Sequence, residues 1–396
     1  MPIHMQDDHI KNKRFAWVEI NLANLSHNIG VIKSYSDSEN TRIMAIVKAD
    51  AYGHGAIEIS KQAIKCGVYA LGVALVEEGV ELRKAGINKQ PIYVLGECPA
   101  GAVEDAVEND LILSINSYES AEFISQKCMK AGKEMTINLN VETGMNRIGI
   151  NFDDAADLIP KILTLPNLRF DSISTHYSCA GGRDSSYTEL QWNRFNEIIE
   201  HIKDSKDVFG FYQCANSAAF FRYKNMHLDM VRTGISLYGL NPYDRDYCDW
   251  LSPDAVDAIS NLKPVFSLKT RITFIKKVSM GVPVSYCGTF KTQRDSVIAT
   301  VPVGYADGYS RLLSNKAVVL IEGKHAPVVG NITMDQFMID ITDIVKDKNV
   351  GVGDEVVLIG DHDGQRITAE DIAKLMGTIS YEVVCMFKNS IPRIYI

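Results

Sequence analysis

The chain has 396 residues, of which 46 % are apolar and 23 % charged, and its formal net charge is −8 at pH 7. This length exceeds one ordinary hydrophobic core and predicts two domains. The acidic balance argues against nucleic acid as a partner, and no apolar run approaches the ~20 residues that a membrane-spanning helix needs.

The first residues and the cysteines indicate where such a chain works. Residues 1–15 are polar and lack the apolar segment of a signal peptide, so we expect a lead-in there. Eight cysteines are scattered without a C-x-x-C pair. That pattern predicts reduced thiols in a cytoplasmic protein rather than a disulfide framework or a zinc site. The nine histidines form no H-x-x-x-H pair, so we expect no metal.

From residue 42 onward, short apolar runs alternate with segments of helical spacing. In chain order the runs are RIMAIVKA, YALGVA, PIYVLG, LILSI, MTINLNV, RFDSISTH, FYQCA and HLDMV. Continuous apolar runs separated by helices are typical of buried parallel strands. Eight of them predict an α/β fold, a (β/α)8 TIM barrel, within residues 16–255. The earlier run WVEINL predicts a further strand near 16–22, outside the barrel count.

The pattern changes after about residue 262. Strand-like runs such as SVIATVPV, KAVVLIEG and DEVVLIG are separated by Gly, Pro and Asp turns, and only TAEDIAKLM has helical spacing. This predicts a mostly antiparallel β-domain over residues 256–396. The segment DRDYCDWLSPDAVDAISNLKP, residues 244–264, is rich in Asp and ends in Pro, so we expect a linker there.

Polar residues follow the predicted barrel strands, where such barrels carry their chemistry. Lys48 ends the first run, Arg147 follows the fifth, His176 ends the sixth and Arg232 follows the eighth. Taken singly, Lys48 could be a surface lysine, His176 a packing residue and either arginine part of a structural ion pair.

The loops after the last two predicted strands carry Asn216, Ser217 and Gly234. Loops at these positions of a barrel often bind phosphate, although Ser217 could also be only a helix N-cap. A lysine beside a phosphate site suggests a Schiff base with pyridoxal phosphate.

Eight motifs occur in the order of one known family: VKADAYGHG, ETGMNRIG, ANSAA, MVRTGISLYG, VSYCGTF, VGYADGY, GNITMDQ and TISYEV. By these motifs the chain, from about residue 15 to its C-terminus, resembles the alanine racemases, barrel-type pyridoxal-phosphate enzymes of fold type III. The resemblance implies that the early strand joins the C-terminal domain. It also implies a cytoplasmic enzyme that interconverts L- and D-alanine and supplies D-alanine for peptidoglycan.

The resemblance also implies a role for each matched residue. Lys48 would bind the cofactor covalently, and Tyr286 would be the second base on the opposite face of the substrate. Arg232 would face the pyridine nitrogen with His176 behind it, and Arg147 would reach the cofactor and the substrate carboxylate. The cofactor-binding set is completed by Tyr52, Asn216, Ser217, Gly234, Ile235 and Tyr381.

The family works as a homodimer, in which Tyr286 and Met334 would enter the partner's barrel, with Asp335 orienting the site. Tyr381 crowds the substrate side chain and favours alanine, but such a pocket rejects serine by only ~100-fold. Four alternatives stay open. They are an alanine/serine racemase with relaxed specificity, a non-catalytic pyridoxal-phosphate protein, a barrel-type decarboxylase that would need an acid in place of Arg232, and a non-enzymatic scaffold.

Two positions depart from the family pattern. Asn140 stands where many members carry a carbamylated lysine that orients the matched arginine. Because an unpaired buried charge is costly, we expect chloride between Asn140 and Arg147; the alternative is an Asn140 amide already satisfied by the protein. Asn331 stands where many members have arginine. The role of His54 is left open.

Overall fold

The computed structural model describes residues 15–36, 38, 40–202, 208–243 and 249–396. Nearly all of the predicted lead-in and residues 244–248 of the predicted linker lie outside these ranges. The chain divides into two units. The barrel unit comprises Leu25–Ala51 and Ala56–Lys263, and the sheet unit comprises Pro264–Ile396, Tyr52–Gly55 and the chain up to Asn24. The division thus falls eight residues beyond the predicted boundary at 255.

Eight parallel strands form the barrel unit, as the apolar runs predicted. In chain order they are Arg42–Ile46, Ala70–Val73, Ile92–Val94, Ile112–Ile115, Met135–Glu142, Leu168–Ser174, Phe211–Gln213 and Met230–Thr233. The first seven pair successively along the chain, and the last, Met230–Thr233, pairs with the first. Between the last two strands the Arg232 N–H donates to the Ala215 carbonyl at 2.9 Å. The sheet is therefore nearly closed into a barrel.

Several barrel strands are buried throughout because both of their faces are covered. All four residues of Ala70–Val73 and of Ile112–Ile115 are buried, as expected of parallel strands that carry helices on one side and a packed interior on the other. A Cβ at Gly72 would lie 2.7 Å from the Ile46 side chain. The interior is thus filled by side chains, with space at this position only for glycine.

Helices follow the strands, and sequence signals set several of their ends. The α-helices of the barrel unit after residue 55 are Ala56–Lys65, Val76–Lys84, Val103–Glu108, Tyr118–Ala131, Phe152–Leu163, Ser186–His201, Ser217–Arg222 and Pro253–Ser260. Short 3₁₀ turns occupy Ala100–Ala102, Lys224–Met226 and Ile235–Tyr238. The helix Tyr118–Ala131 begins after Ser117, whose side chain accepts from the Ser120 N–H, and it ends at Gly132 with φ 62°.

The main sheet of the sheet unit is mostly antiparallel. Its strands, in spatial order, are Lys324–Pro327, Val318–Ile321, Glu355–His362, Phe266–Arg271, Ala16–Ile20 and Arg393–Tyr395, with Gln365–Ile367 paired to Glu355–His362. The early strand Ala16–Ile20 lies antiparallel to Phe266–Arg271 and parallel to Arg393–Tyr395. Residues far apart in the chain therefore share one sheet, as the resemblance implied.

Smaller elements complete the sheet unit. The strands Phe274–Val278, Ser296–Val301 and Phe337–Asp340 form a second antiparallel sheet, and Pro283–Val284 pairs with Phe290–Lys291. The helices are Ala369–Met376 and Ser380–Cys385, with 3₁₀ turns at Tyr286–Gly288, Arg311–Leu313 and Ile344–Lys346. Of these helices, the sequence pattern predicted only Ala369–Met376.

The predicted linker is partly wrong, because it contains the helix Pro253–Ser260. Ser252 caps that helix by accepting from the Ala255 N–H at 3.2 Å, and Pro253 occupies its first position. Both residues are standard helix start signals. The many Asp residues of the segment nevertheless favoured the prediction of a linker. The helix Leu22–Tyr35 was also not predicted. Among the described helices, none is long and apolar enough to cross a membrane.

Candidate active site

Three positively charged side chains of the barrel unit lie near His176 and help to lower its pKa. The pKa of His176 lies well below its usual range, first because the surrounding protein desolvates the ring and then because Arg232, Arg147 and Lys48 are nearby. A histidine in such a field stays a neutral imidazole near pH 7. The structure therefore brings together the lysine, the two arginines and the histidine that the strand ends predicted.

Lys48 begins a turn of left-handed backbone. The four residues after it have φ between 52° and 54°, and they are Ala49, Asp50, Ala51 and Tyr52. Left-handed helical backbone costs about 1–2 kcal/mol for each residue with a Cβ. The segment Lys48–Gly53 therefore needs support from outside, and such strain is typical of functional sites.

Glu78 supplies part of that support. Its Oε1 accepts from the Ala49 N–H at 2.6 Å, directly after Lys48. Its Oε2 accepts from the N–H groups of Ala74 at 2.7 Å and Leu75 at 3.1 Å. One carboxylate thus ties the start of the left-handed turn to the end of the neighbouring strand.

Other bonds fix the rest of the turn. The Asp50 carboxylate accepts from the Ala56 N–H at 2.7 Å and so holds the start of the next helix. Within the sheet unit, the Arg393 Nε donates to the Gly53 carbonyl at 3.1 Å. A Cβ at Gly53, which has φ +79°, would lie 2.4 Å from the Val384 carbonyl oxygen. Only glycine permits that approach.

Replacing Glu78 with alanine is expected to lower the free energy of unfolding by ~2 kcal/mol, because three backbone donors lose a charged acceptor. Glu78→Gln keeps one acceptor oxygen and should lose less. Urea unfolding of the two variants checks this. The matched control is Glu81→Ala on the same helix, an exposed residue for which a change below ~0.5 kcal/mol is expected. Equal unfolding curves for Glu78→Ala and Glu81→Ala would contradict the support that we assign to Glu78.

Arg232 is buried and makes its hydrogen bonds to neutral groups. Its Nη2 donates to the carbonyls of Thr175 at 2.6 Å and Cys214 at 3.2 Å, and lies 3.4 Å from His176 Nδ1. Its Nη1 donates to Gln213 Oε1 at 3.3 Å. Burial lowers the pKa of Arg232 to about 10, so the guanidinium remains a cation near neutral pH.

Sequence reasoning missed the polar network behind Arg232. Gln213 Nε2 donates to Ser172 Oγ at 3.0 Å, Ser172 donates to Asn138 Oδ1 at 2.8 Å, and Asn138 donates to Ser174 Oγ at 2.9 Å. All four side chains are buried. A fully bonded buried network holds its members in one geometry. The sequence does contain a signal for this network, because its four polar residues interrupt otherwise apolar strand runs.

The predicted phosphate residues of the barrel unit lie together. Ser217 Oγ accepts from the Gly234 N–H at 2.9 Å, so its own proton can be donated elsewhere. Asn216 caps the helix Ser217–Arg222 through the Ala219 N–H at 3.0 Å and donates to the Tyr177 carbonyl at 3.2 Å. Ile235 follows Gly234 and begins the 3₁₀ turn Ile235–Tyr238. Asn216 thus bonds to backbone groups and holds the loop, whereas the Ser217 hydroxyl can donate a hydrogen bond to a phosphate.

Arg147 sits on a loop held by Glu142. The buried Glu142 carboxylate accepts from the N–H groups of Gly144 at 2.6 Å and Arg147 at 3.1 Å. Asn140 Nδ2 donates to Asn116 Oδ1 at 2.8 Å and to the Ile148 carbonyl at 3.1 Å. The Asn140 amide is therefore satisfied by the protein, and Arg147 itself is exposed.

Two tyrosines of the predicted cofactor set meet within the sheet unit. The rings of Tyr52 and Tyr381 lie 6.2 Å apart between centroids. Burial raises the pKa of Tyr52, with smaller effects from Tyr381 and Cys385, so Tyr52 is a neutral donor. His54 Nδ1 lies 2.9 Å from the Tyr52 carbonyl, and its ring packs edge-on against Phe266. These contacts are those of a packing residue.

The sheet unit displays exposed side chains around Tyr286. Tyr286 is 70 % exposed, Met334 54 % and Tyr305 44 %, and Asp335 is also exposed. The loops that carry them are joined, because the Ala306 N–H donates to the Met334 carbonyl at 3.0 Å and Asn331 Nδ2 donates to the Tyr286 carbonyl at 2.8 Å. Tyr286, Tyr305 and Met334 are called the exposed patch below. Tyr305 was not among the predicted residues.

Family models match both parts of the chain. Residues 20–242 match the model described as "Alanine racemase, N-terminal domain", and residues 265–395 match "Alanine racemase, C-terminal domain". An alanine racemase from Halothermothrix orenii is 42 % identical over 97 % of this chain and 98 % of its own length. An alanine racemase from Clostridium novyi is 43 % identical over 98 % of this chain and 96 % of its own length.

Solved structures agree with these matches. The alanine racemase of Clostridium difficile 630 superposes with a TM-score of 0.87 at 38 % identity, covering 96 % of each chain. The Bacillus anthracis alanine racemase with bound L-Ala-P gives 0.87 at 35 % identity, covering 97 % of this chain and 95 % of its own. The likeness extends over both units.

Proposed function

Because the chain belongs to the alanine racemase family, it interconverts L- and D-alanine, and we propose that Lys48 and Tyr286 are its two bases. The observation that carries the Lys48 part of this proposal is its grouping with Arg147 and Arg232 around His176, whose Nδ1 lies 3.4 Å from Arg232 Nη2. We further propose that the D-alanine supplies peptidoglycan synthesis.

The family depends on pyridoxal phosphate, and the residues of the barrel unit fit that group. Ser217 offers a hydroxyl donor, and the buried Arg232 makes its hydrogen bonds to neutral partners. Such a set suits an anionic phosphate and a ring nitrogen that accepts a hydrogen bond. Lys48 would bind the cofactor covalently, and Ser217, Gly234 and Ile235 would hold its phosphate. Assigning Tyr52 and Tyr381 to the same phosphate stays a prediction.

When bound, pyridoxal phosphate acts as an electron sink that makes the Cα proton of an attached amino acid removable. The protein must then take this proton from one face and return one to the other. A single base would have to cross the substrate plane, whereas two bases avoid that movement. Lys48 Nζ would accept or donate the proton on one face, and Tyr286 Oη on the other.

Arg232 favours return of the proton to Cα. A guanidinium keeps its protons at neutral pH, so Arg232 can donate a hydrogen bond to the ring nitrogen without protonating it. Electron withdrawal from Cα is then weaker, and negative charge stays closer to Cα. This argues against the decarboxylase alternative, which resembles the chain in outline but places an acid at this position.

Arg147 would bind the substrate carboxylate from its loop. Chloride between Asn140 and Arg147 stays a prediction, and two features of the structure do not support it. Both protons of the Asn140 amide are donated to protein acceptors, so an anion would have to replace one of these bonds. Arg147 is exposed, so the cost of an unpaired buried charge, on which the chloride prediction rested, does not arise in this chain.

We propose a homodimer in which Tyr286 of each protomer serves the partner's Lys48. The support is the exposed patch, since three large exposed side chains, one of them the proposed catalytic Tyr286, suit contact with another surface. Met334 and Asp335 would approach the partner's substrate in the same way. A non-catalytic pyridoxal-phosphate protein would have no need of Tyr286 at this exposed position.

Mixing two inactive variants tests both the bases and the dimer. Lys48→Ala and Tyr286→Phe protomers are mixed in equal amounts under conditions that let subunits exchange. Half of the dimers are then mixed, and each has one intact site, so about a quarter of the parent activity should return. If both bases came from one protomer, no activity would return. Slow serine turnover stays a prediction, to be assayed in the parent enzyme.

A further inference from the structure

Tyr286 lies between residues in unfavourable backbone conformations. Ser285 before it has φ 65°, and Cys287 after it has φ 63°. Gly288 continues at φ 53°. Residues with a Cβ rarely adopt positive φ, and they persist there only where the surroundings impose it. The turn Tyr286–Gly288 therefore requires groups outside it to hold its shape.

Asn331 is the group in contact with this turn from the interior. Its Nδ2 donates to the Tyr286 carbonyl at 2.8 Å, and its own carbonyl accepts from Ser285 Oγ at 2.5 Å. Asn331 is only 8 % exposed. Asn331 thus makes one hydrogen bond to the Ser285 side chain and one to the Tyr286 backbone.

Asn331 is itself braced by its neighbours. The N–H of Gly330 donates to Asn315 Oδ1 at 2.6 Å, and Asn315 Nδ2 donates to Thr289 Oγ1 at 3.1 Å, beyond the turn. A Cβ at Gly330, which has φ +78°, would lie 2.6 Å from the Val284 carbonyl oxygen. The segment before Asn331 is therefore pressed against the strand end that leads into the turn.

Within its own protomer, the described residues give the Tyr286 side chain no hydrogen bond, so that protomer directs it through the backbone of the turn. We propose that Asn331 is a positioning residue that aims Tyr286 Oη at the substrate. This inference rests on the proposed function, in which Tyr286 is one of two bases. Loosening the peptide would leave the hydroxyl present but poorly placed, and misplacement by about 1 Å can cost ~100-fold in rate.

The test compares proton exchange on the two faces of alanine. L-alanine and D-alanine are incubated separately in deuterated water with the cofactor-loaded enzyme, and deuterium entry at Cα is followed. In Tyr286→Phe, one enantiomer should lose exchange, while the other still exchanges through Lys48. Asn331→Ala should lower exchange of the same enantiomer ~10-fold or more and leave the other near the parent rate. Loss of fold or cofactor would lower both rates together.

Two further variants complete the design. Asn24→Ala is the matched control, because Asn24 Nδ2 also donates to a backbone carbonyl of the sheet unit, that of Pro264, at 2.8 Å; both exchange rates should stay unchanged. Ser285→Ala removes only the hydroxyl bond to Asn331 and should give a smaller loss for the same enantiomer. It serves as the test if Asn331→Ala does not fold.

Equal losses for both enantiomers, or none, in folded and cofactor-loaded Asn331→Ala, or in its substitute Ser285→Ala, would overturn the positioning role of Asn331, provided that Tyr286→Phe still affects one enantiomer alone. If Tyr286→Phe itself shows no difference between the enantiomers, the two-base assignment fails, and the inference about Asn331 fails with it. The two failures are thus distinguished in one experiment.

Discussion

Lys48→Ala is expected to lower racemisation by ~10⁴-fold or more, since it removes both the covalent anchor of the cofactor and one of the two bases. The residue stands where the strand Arg42–Ile46 ends and the left-handed turn begins. Borohydride reduction followed by intact-mass measurement checks the anchor: the parent should gain the mass of the cofactor, and the variant should not.

The control for this change is Lys61→Ala. Lys61 is a surface residue whose Nζ pairs with Glu58 at 2.8 Å, and such pairs contribute little to stability. Its variant should keep both activity and the added mass. Methylamine supplied to Lys48→Ala should restore part of the activity if the cavity otherwise keeps its shape. Cofactor still trapped covalently on Lys48→Ala would assign the anchor to another residue.

Tyr286→Phe removes one hydroxyl and is expected to lower racemisation by roughly 10²- to 10⁴-fold, the range for loss of a general acid or base. Because Tyr286 is 70 % exposed and its ring is retained, thermal unfolding should not change. The measurement is racemisation in both directions together with deuterium entry at Cα. Racemisation should fall in both directions, whereas exchange should persist for one enantiomer.

Tyr118→Phe is the matched control for that change. Tyr118 begins the helix Tyr118–Ala131, which carries none of the site residues, so its variant should racemise at the parent rate. Full racemisation by Tyr286→Phe would show that the phenol is dispensable, and the second base would have to be sought elsewhere on the exposed patch.

Much of the fold could be predicted because strand and helix patterns are local. The run RIMAIVKA has an apolar centre, and it forms the strand Arg42–Ile46, which is buried after Arg42. The segment TAEDIAKLM has a capping threonine and helical spacing, and it forms Ala369–Met376. The helix Pro253–Ser260 was missed although its signals were present. The many Asp residues around it are typical of a linker, although Ser252 and Pro253 are helix start signals.

The sequence could predict which residues form the candidate site, but not the backbone conformation and hydrogen bonds that hold them. Lys48, Arg147, His176 and Arg232 were found from their predicted places after strands, because parallel strands carry their C-terminal ends to one edge. In the structure Arg232 lies within the strand Met230–Thr233 rather than after it. The left-handed turn after Lys48 could not be found, since Ala and Tyr disfavour positive φ and a single Asp does not predict four consecutive left-handed residues. Its support by Glu78 reaches 29 residues along the chain.

The sequence alone determined the order of elements, the barrel and the residue types at its strand ends, because these follow from short-range patterns and from motifs. Only the tertiary structure decided which hydrogen bonds those residues make. It placed both protons of Asn140 on protein acceptors, it connected Arg232 to the network through Gln213, and it placed Asn331 behind Tyr286. Each such partner is chosen by how distant segments pack, and buried polar groups take the nearest acceptor that packing provides.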